Sequence, residues 1–150
     1  MQEPRSYLHN AEREGADDYE LHTQLGFLDQ LSGDRASAAT EYALALKENQ
    51  YDATALGDLA IIKAASGHPE QAIRLLRRSV NDDPSGVSAA LDLAFIECKI
   101  GEKKEAVATL HRLSVIDPDE PAIRAFLTSG TFGTQQCSLR SSMANQVPQP

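Results

Sequence analysis

The chain has 150 residues, 41% of them hydrophobic, which is enough for one ordinary core and excludes a wholly disordered protein. Its net charge of −8, with −6 on residues 19–129, repels nucleic-acid phosphate and anionic membrane surface, so neither is an expected partner. No apolar run approaches the roughly 18 residues that span a bilayer, and the first residues lack the apolar centre of a secretory signal.

Residues 1–18 contain RSYLHNAEREG, which reads as one helix with no partner before it. Helix pairs are expected next, at 19–32 and 36–48, at 53–66 and 70–82, and at 87–100 and 104–115. Gly33, Gly67 and Gly101 stand between the members of each pair, 34 residues apart. Glycine accepts the left-handed backbone that ends one helix and opens a tight turn. The same interval joins Gly26, Ala60 and Ala94, then Ala38, Ala72 and Ala106, small residues that let two helices approach closely. It also joins Leu25, Leu59 and Leu93, and Tyr42, Leu76 and Leu110, as bulky rows. Gln50, Pro84 and Pro118 close each unit, because proline cannot extend a helix.

In the fourth of these helices, QAIRLLRRSV puts Ala72, Ile73, Leu76 and Val80 on one side, with Arg74, Arg77 and Arg78 on or beside solvent. Pro69 suits the first turn, where its missing N–H costs nothing. Asp52 and Asp119 precede helices and read as N-caps. DEPAIRAFLTSG predicts a last helix over roughly 120–129, with Ile123, Phe126 and Leu127 available to cover the preceding pair. Beyond Gly130 the chain is rich in Ser, Gln, Thr and Pro and reads as a disordered tail.

Sites of chemistry are scarce. His9, His22, His68 and His111 share no metal-ligand spacing, and there is no glycine-rich phosphate loop. NDDP and IDPDEP lack the alternating ligands and central glycine of a calcium loop. Cys98 and Cys137 form no CxxC pair and describe no disulfide framework, so a reduced, cytoplasmic chain is expected. The sequence predicts no catalytic residue, no cofactor and no metal.

The rows taken together resemble the tetratricopeptide repeat family, whose 34-residue signature has a Leu-Gly pair, an Ala, an aromatic and a late Pro at set offsets. Here these are Leu25-Gly26, Ala38 and Tyr42; Leu59-Ala60, Ala72, Leu76 and Pro84; and Leu93-Ala94, Ala106, Leu110 and Pro118. The resemblance covers residues 19–120. It implies an all-α solenoid of antiparallel helix pairs wound as a right-handed superhelix. The repeats are 19–52, 53–86 and 87–120, with a partial repeat or capping helix at 1–18, a capping helix at 121–129 and the tail at 130–150. Two departures are expected to soften each repeat's packing: His22, Leu56 and Ala90 replace the family's early Trp, and Asp29, Lys63 and Glu97 replace its mid-helix Tyr.

In that family the first helix of each pair lines a concave groove that binds peptides or helices. The register then assigns Phe27, Ile61 and Phe95 as an apolar spine, beside Gln24, Asp58 and Asp92. Thr23, Gly57 and Leu91 form a further row, as do Gln30, Ala64 and Cys98. Helical spacing alone fits the spine equally to packing between neighbouring helices. Some members grip an acidic C-terminus with Lys, Asn and Arg. The matching positions here are Thr23, Phe27, Asp58, Ser88 and Asp92, so such a ligand is not expected. The implied function is a non-catalytic protein-interaction scaffold, its partner a protein or peptide with apolar anchors and Lys or Arg beside them. The alternative is a C-terminal docking or dimerisation module of a larger enzyme or redox protein, and self-association is a further possibility.

Overall fold

The computed structural model describes residues 4–15, 18–129, 131–132 and 137–138. Eight helices follow one another: α1 Pro4–Arg13, α2 Tyr19–Leu31, α3 Arg35–Glu48, α4 Ala53–Ala65, α5 Pro69–Asp82, α6 Val87–Lys99, α7 Lys103–Ile116 and α8 Pro121–Ser129. Within each pair, α2 packs on α3, α4 on α5 and α6 on α7. Between pairs, α3 packs on α4 and α5 on α6, while α4 also touches α6 directly. The result is an all-α solenoid of stacked antiparallel pairs.

Local chemistry sets the helix ends. Gly33, Gly67 and Gly101 take φ of +85°, +82° and +91° after α2, α4 and α6, a left-handed conformation that other residues adopt only with strain. The carboxylates of Asp18, Asp34 and Asp52 accept hydrogen bonds from the backbone N–H of Leu21, Ser37 and Ala55, capping α2, α3 and α4. Pro69 opens α5. The cap of α8 differs from expectation: Glu120, not Asp119, accepts from the N–H groups of Ala122 and Ile123. Its longer side chain folds back from one residue nearer the helix.

The core is a chain of three apolar clusters, two at the junctions between pairs and one joining the last pair to α8. Tyr42 lies against Gly26, where an added Cβ would sit 2.8 Å from the tyrosine ring. His22, Leu56 and Ala90 are all buried, and the His22 ring nitrogen Nδ1 lies 2.8 Å from the Glu41 carboxylate. Of the mid-helix replacements, Asp29 and Glu97 are buried. Glu97 does more than soften a contact. Its carboxylate accepts from Arg77 of α5 at 2.9 Å and from Thr109 of α7 at 3.1 Å, joining three helices.

Near the C-terminus Thr131–Phe132 (β1) pairs antiparallel with Cys137–Ser138 (β2), and the rest of the tail expected at 130–150 lies outside the described residues. The expectation that the cysteines form no disulfide is corrected. Cys98 is disulfide-bonded. Spacing along the sequence says nothing about proximity once a chain folds back, and β2 lies against α6, which carries Cys98. A structural disulfide persists in oxidising compartments, so this bond weighs against the reduced setting expected from composition.

Candidate functional site

The first helices of the pairs, α2, α4 and α6, present one residue of each 34-residue unit at equivalent positions. Leu25, Leu59 and Leu93 are buried, as are Gly26, Ala60 and Ala94 beside them. Two positions further on, Phe27, Ile61 and Phe95 are 51%, 40% and 39% exposed. A step of two residues turns a helix by about 200°, so a residue next to the packed row emerges on the opposite flank. The spine of three is therefore solvent-facing rather than interhelical filling. The Lys99 ammonium stands 5.4 Å from the centre of the Phe95 ring, a cation–π contact at the third-repeat end of the row.

Gly57, Asp58, Ile61 and Asp92 come together around a recess of 290 Å³ between α4 and α6, with Ser88 and Asp83 completing its walls. A Cβ placed on Gly57 would meet nothing within 4 Å, so the recess is open at that point. Thr23 and Gln30 are half-buried and tied elsewhere in the first two repeats. The Thr23 hydroxyl donates to the Asp52 carboxylate at 2.6 Å and to the Tyr19 carbonyl at 2.8 Å. Gln30 accepts from the Tyr42 hydroxyl at 3.2 Å. Gln24 is exposed. Leu91 departs from the others, because it packs, partly buried, against the α6–α8 cluster.

Carboxylates dominate the electrostatics. Burial pushes the Asp58 carboxyl up from its ordinary value; the hydrogen bond from Tyr42 opposes this and the charge of Asp52 adds to it. Burial also pushes Asp92 up, and the charge of Asp58 adds to it, so the two acids feel each other across the recess. Tyr42 is driven well above the usual phenol range, first by burial and then by Asp58, which accepts its hydroxyl at 3.0 Å. Among the described residues, no three His, Cys, Asp or Glu side chains converge in a way that would hold a metal ion. The recess thus carries carboxylates with the apolar side chain of Ile61 beside them.

Two contributors escaped the sequence reading. Asp83 reaches the recess, although NDDP reads as a solvated turn; it ends α5 where that helix meets the start of α6. The Tyr42 hydroxyl reaches Asp58 from the core side, and nothing in a row of bulky residues signals that one of them has a polar tip long enough to do so.

The tetratricopeptide repeat family model matches residues 63–129, and the 34-residue register carries the same pattern back through the first pair. Over residues 63–129 the chain is thus similar to the tetratricopeptide repeat family. No curated protein sequence matches it. Among solved structures, a tetratricopeptide repeat protein from Parabacteroides merdae superposes with a TM-score of 0.79 at 17% identity, over 94% of this chain and 53% of its own. YrrB, a tetratricopeptide repeat protein with an unusual peptide-binding site, gives 0.68 at 19% identity, over 77% of this chain and 60% of its own. The Thermobaculum terrenum O-GlcNAc transferase gives 0.63 at 20% identity, over 85% of this chain and 22% of its own. The chain therefore spans less than two thirds of each of these structures, and at such identities the likeness is one of fold.

Proposed function

We propose that the chain is a protein-interaction scaffold without catalytic activity of its own, holding a peptide or helix of a partner in the groove formed by α2, α4 and α6. The observation that carries this reading is the exposed apolar row Phe27, Ile61 and Phe95 beside an acidic recess. An exposed apolar stripe costs solubility and marks an interaction surface when it is contiguous. The partner segment has apolar anchors for the spine and Lys or Arg for Asp58 and Asp92, the complement of what the groove offers. The peptide-binding site of YrrB lends support at the level of the fold. The cytoplasmic setting expected from the sequence remains part of this reading, and the disulfide at Cys98 is the observation against it.

The test is a panel of synthetic amphipathic peptides of equal apolar content, carrying either Lys or Glu beside the anchors. The basic set is expected to bind at micromolar level, about −8 kcal/mol. Asp58→Lys with Asp92→Lys should weaken that binding by tenfold or more and reverse its salt dependence. Equal binding of both sets, or indifference to the double substitution, would remove the groove from the proposal. A second reading, a docking module of a larger enzyme, is favoured by one observation: the O-GlcNAc transferase extends far beyond the 22% of its chain that this one matches. A reading frame continuing into a domain with cofactor motifs would favour it. Self-association is checked by sedimentation at several concentrations.

A further inference from the structure

A segment whose chemistry matches the groove follows β2 in the sequence. β2 packs against α6, the helix that carries Asp92 and Phe95, and disulfide-bonded Cys98 is on that helix as well. The chain is therefore brought to α6, the last helix of the α2, α4 and α6 row. Residues 139–150, LRSSMANQVPQP, follow β2 directly and lie outside the described residues. Leu139, Met143 and Val147 recur every four positions, and Arg140 is the one charged residue among them. No acidic residue follows Gly130, whereas the repeats carry a strong negative excess.

The distances permit contact with every repeat. Twelve extended residues reach about 40 Å, while packed neighbouring helices lie about 8–10 Å apart. From α6 to α2 is two such steps. Tethering adds effective concentration, in the millimolar range for a short flexible linker, so even a weak intrinsic affinity gives occupancy. We propose that residues 139–150 occupy the groove of their own chain, with Arg140 at Asp58 and Asp92 and the apolar residues along the spine, so that a partner binds by displacing them. This rests on the groove reading above and adds a built-in competitor to it.

The experiment uses the full chain and a fluorescein-labelled synthetic peptide of sequence LRSSMANQVPQP. A full-length variant with Leu139→Ser, Arg140→Glu, Met143→Ser and Val147→Ser leaves the repeats untouched. The labelled peptide is expected to bind this variant at least tenfold more tightly than the native chain, and Asp58→Lys with Asp92→Lys should abolish the difference. Equal affinity for both chains, or no binding to the variant, overturns the proposal. A designed Leu- and Lys-containing peptide separates the two failures. If it binds the variant through Asp58 and Asp92 while LRSSMANQVPQP does not, the self-occupied groove is wrong and the groove itself stands. If neither binds, both readings fall. A concentration-dependent dimer that the variant abolishes would place the segment on a second copy and overturn occupancy within one chain.

Discussion

In the first repeat Gly26 faces Tyr42, whereas the second and third repeats place Ala60 with Leu76 and Ala94 with Leu110 in the same two positions. The two solutions fill similar space: a larger partner is accommodated by removing a methyl group opposite it. They differ in what the larger residue brings. A leucine ends in methyl groups, while Tyr42 ends in a hydroxyl that crosses from the core to Gln30 and Asp58 on the groove side. One repeat thus links its core to the recess between α4 and α6, whereas the other two have at that position a leucine that ends in methyl groups.

The comparison breaks most visibly at Gly26. A Cβ there would lie 2.8 Å from the Tyr42 ring, inside any tolerable contact, and the ring is buried with no room to retreat. Gly26→Ala is expected to cost about 1–3 kcal/mol despite the better helix propensity of alanine. Adding Tyr42→Leu should recover most of that loss, because the double variant rebuilds the Ala–Leu pair of the neighbouring repeats. Urea denaturation of the two single variants and the double variant gives the coupling energy directly. A double variant as unstable as the sum of the two singles would mean that the repeats do not share one packing solution.

A smaller effect is expected from Tyr42→Phe, which keeps the ring against Gly26 and removes only the hydroxyl. Loss of the bonds to Asp58 and Gln30 should cost about 0.5–1.5 kcal/mol. The more telling readout is Asp58 itself. The tyrosine hydrogen bond holds its carboxyl down against burial, so removing the donor should raise the Asp58 pKa further. Carboxyl chemical shifts followed through an acid titration measure this. An unchanged or lowered Asp58 pKa would show that the core of the first repeat and the groove are independent after all.

Most of the solenoid was legible because its determinants are local and repeated. Gly33, Gly67 and Gly101 announce three turns of one kind, and the small and bulky rows announce one helix-packing geometry three times. The spine at Phe27, Ile61 and Phe95 was legible only as a row, because a helical period names a face without saying what covers it. Their exposure depends on the curvature of the stack, a property of all the helices together. Tyr42 to Asp58 crosses 16 residues and a repeat boundary, and Arg77 to Glu97 crosses 20. Such pairs follow from side-chain reach in the folded array, not from spacing. The disulfide at Cys98 and the pairing of β1 with β2 lie outside the repeat period, where the register has no predictive hold.

The smallest expected effect concerns the row Asp29, Lys63 and Glu97, where repeats that match in backbone differ in charge. Burial pushes the Glu97 carboxyl above its ordinary 4.5, and the hydrogen bonds from Arg77 and Thr109 offset part of this. The native state therefore holds its proton more tightly than the unfolded chain does. Stability contributed by this group is fully present below the ordinary value and declines as pH rises through the raised one. Asp58 and Asp92, also raised, act with the same sign. Glu97→Gln removes one titrating group while its amide oxygen can still accept from Thr109 or Arg77. The melting temperature of this variant should fall less than that of the native chain between about pH 4 and pH 7. Arg77→Met should act oppositely and steepen the decline, since it takes away a partner that favours the charged carboxylate. Parallel melting profiles for all three proteins would mean that Glu97 titrates alike in the folded and unfolded chain, and the third repeat would then tolerate its buried acid no differently from a neutral side chain.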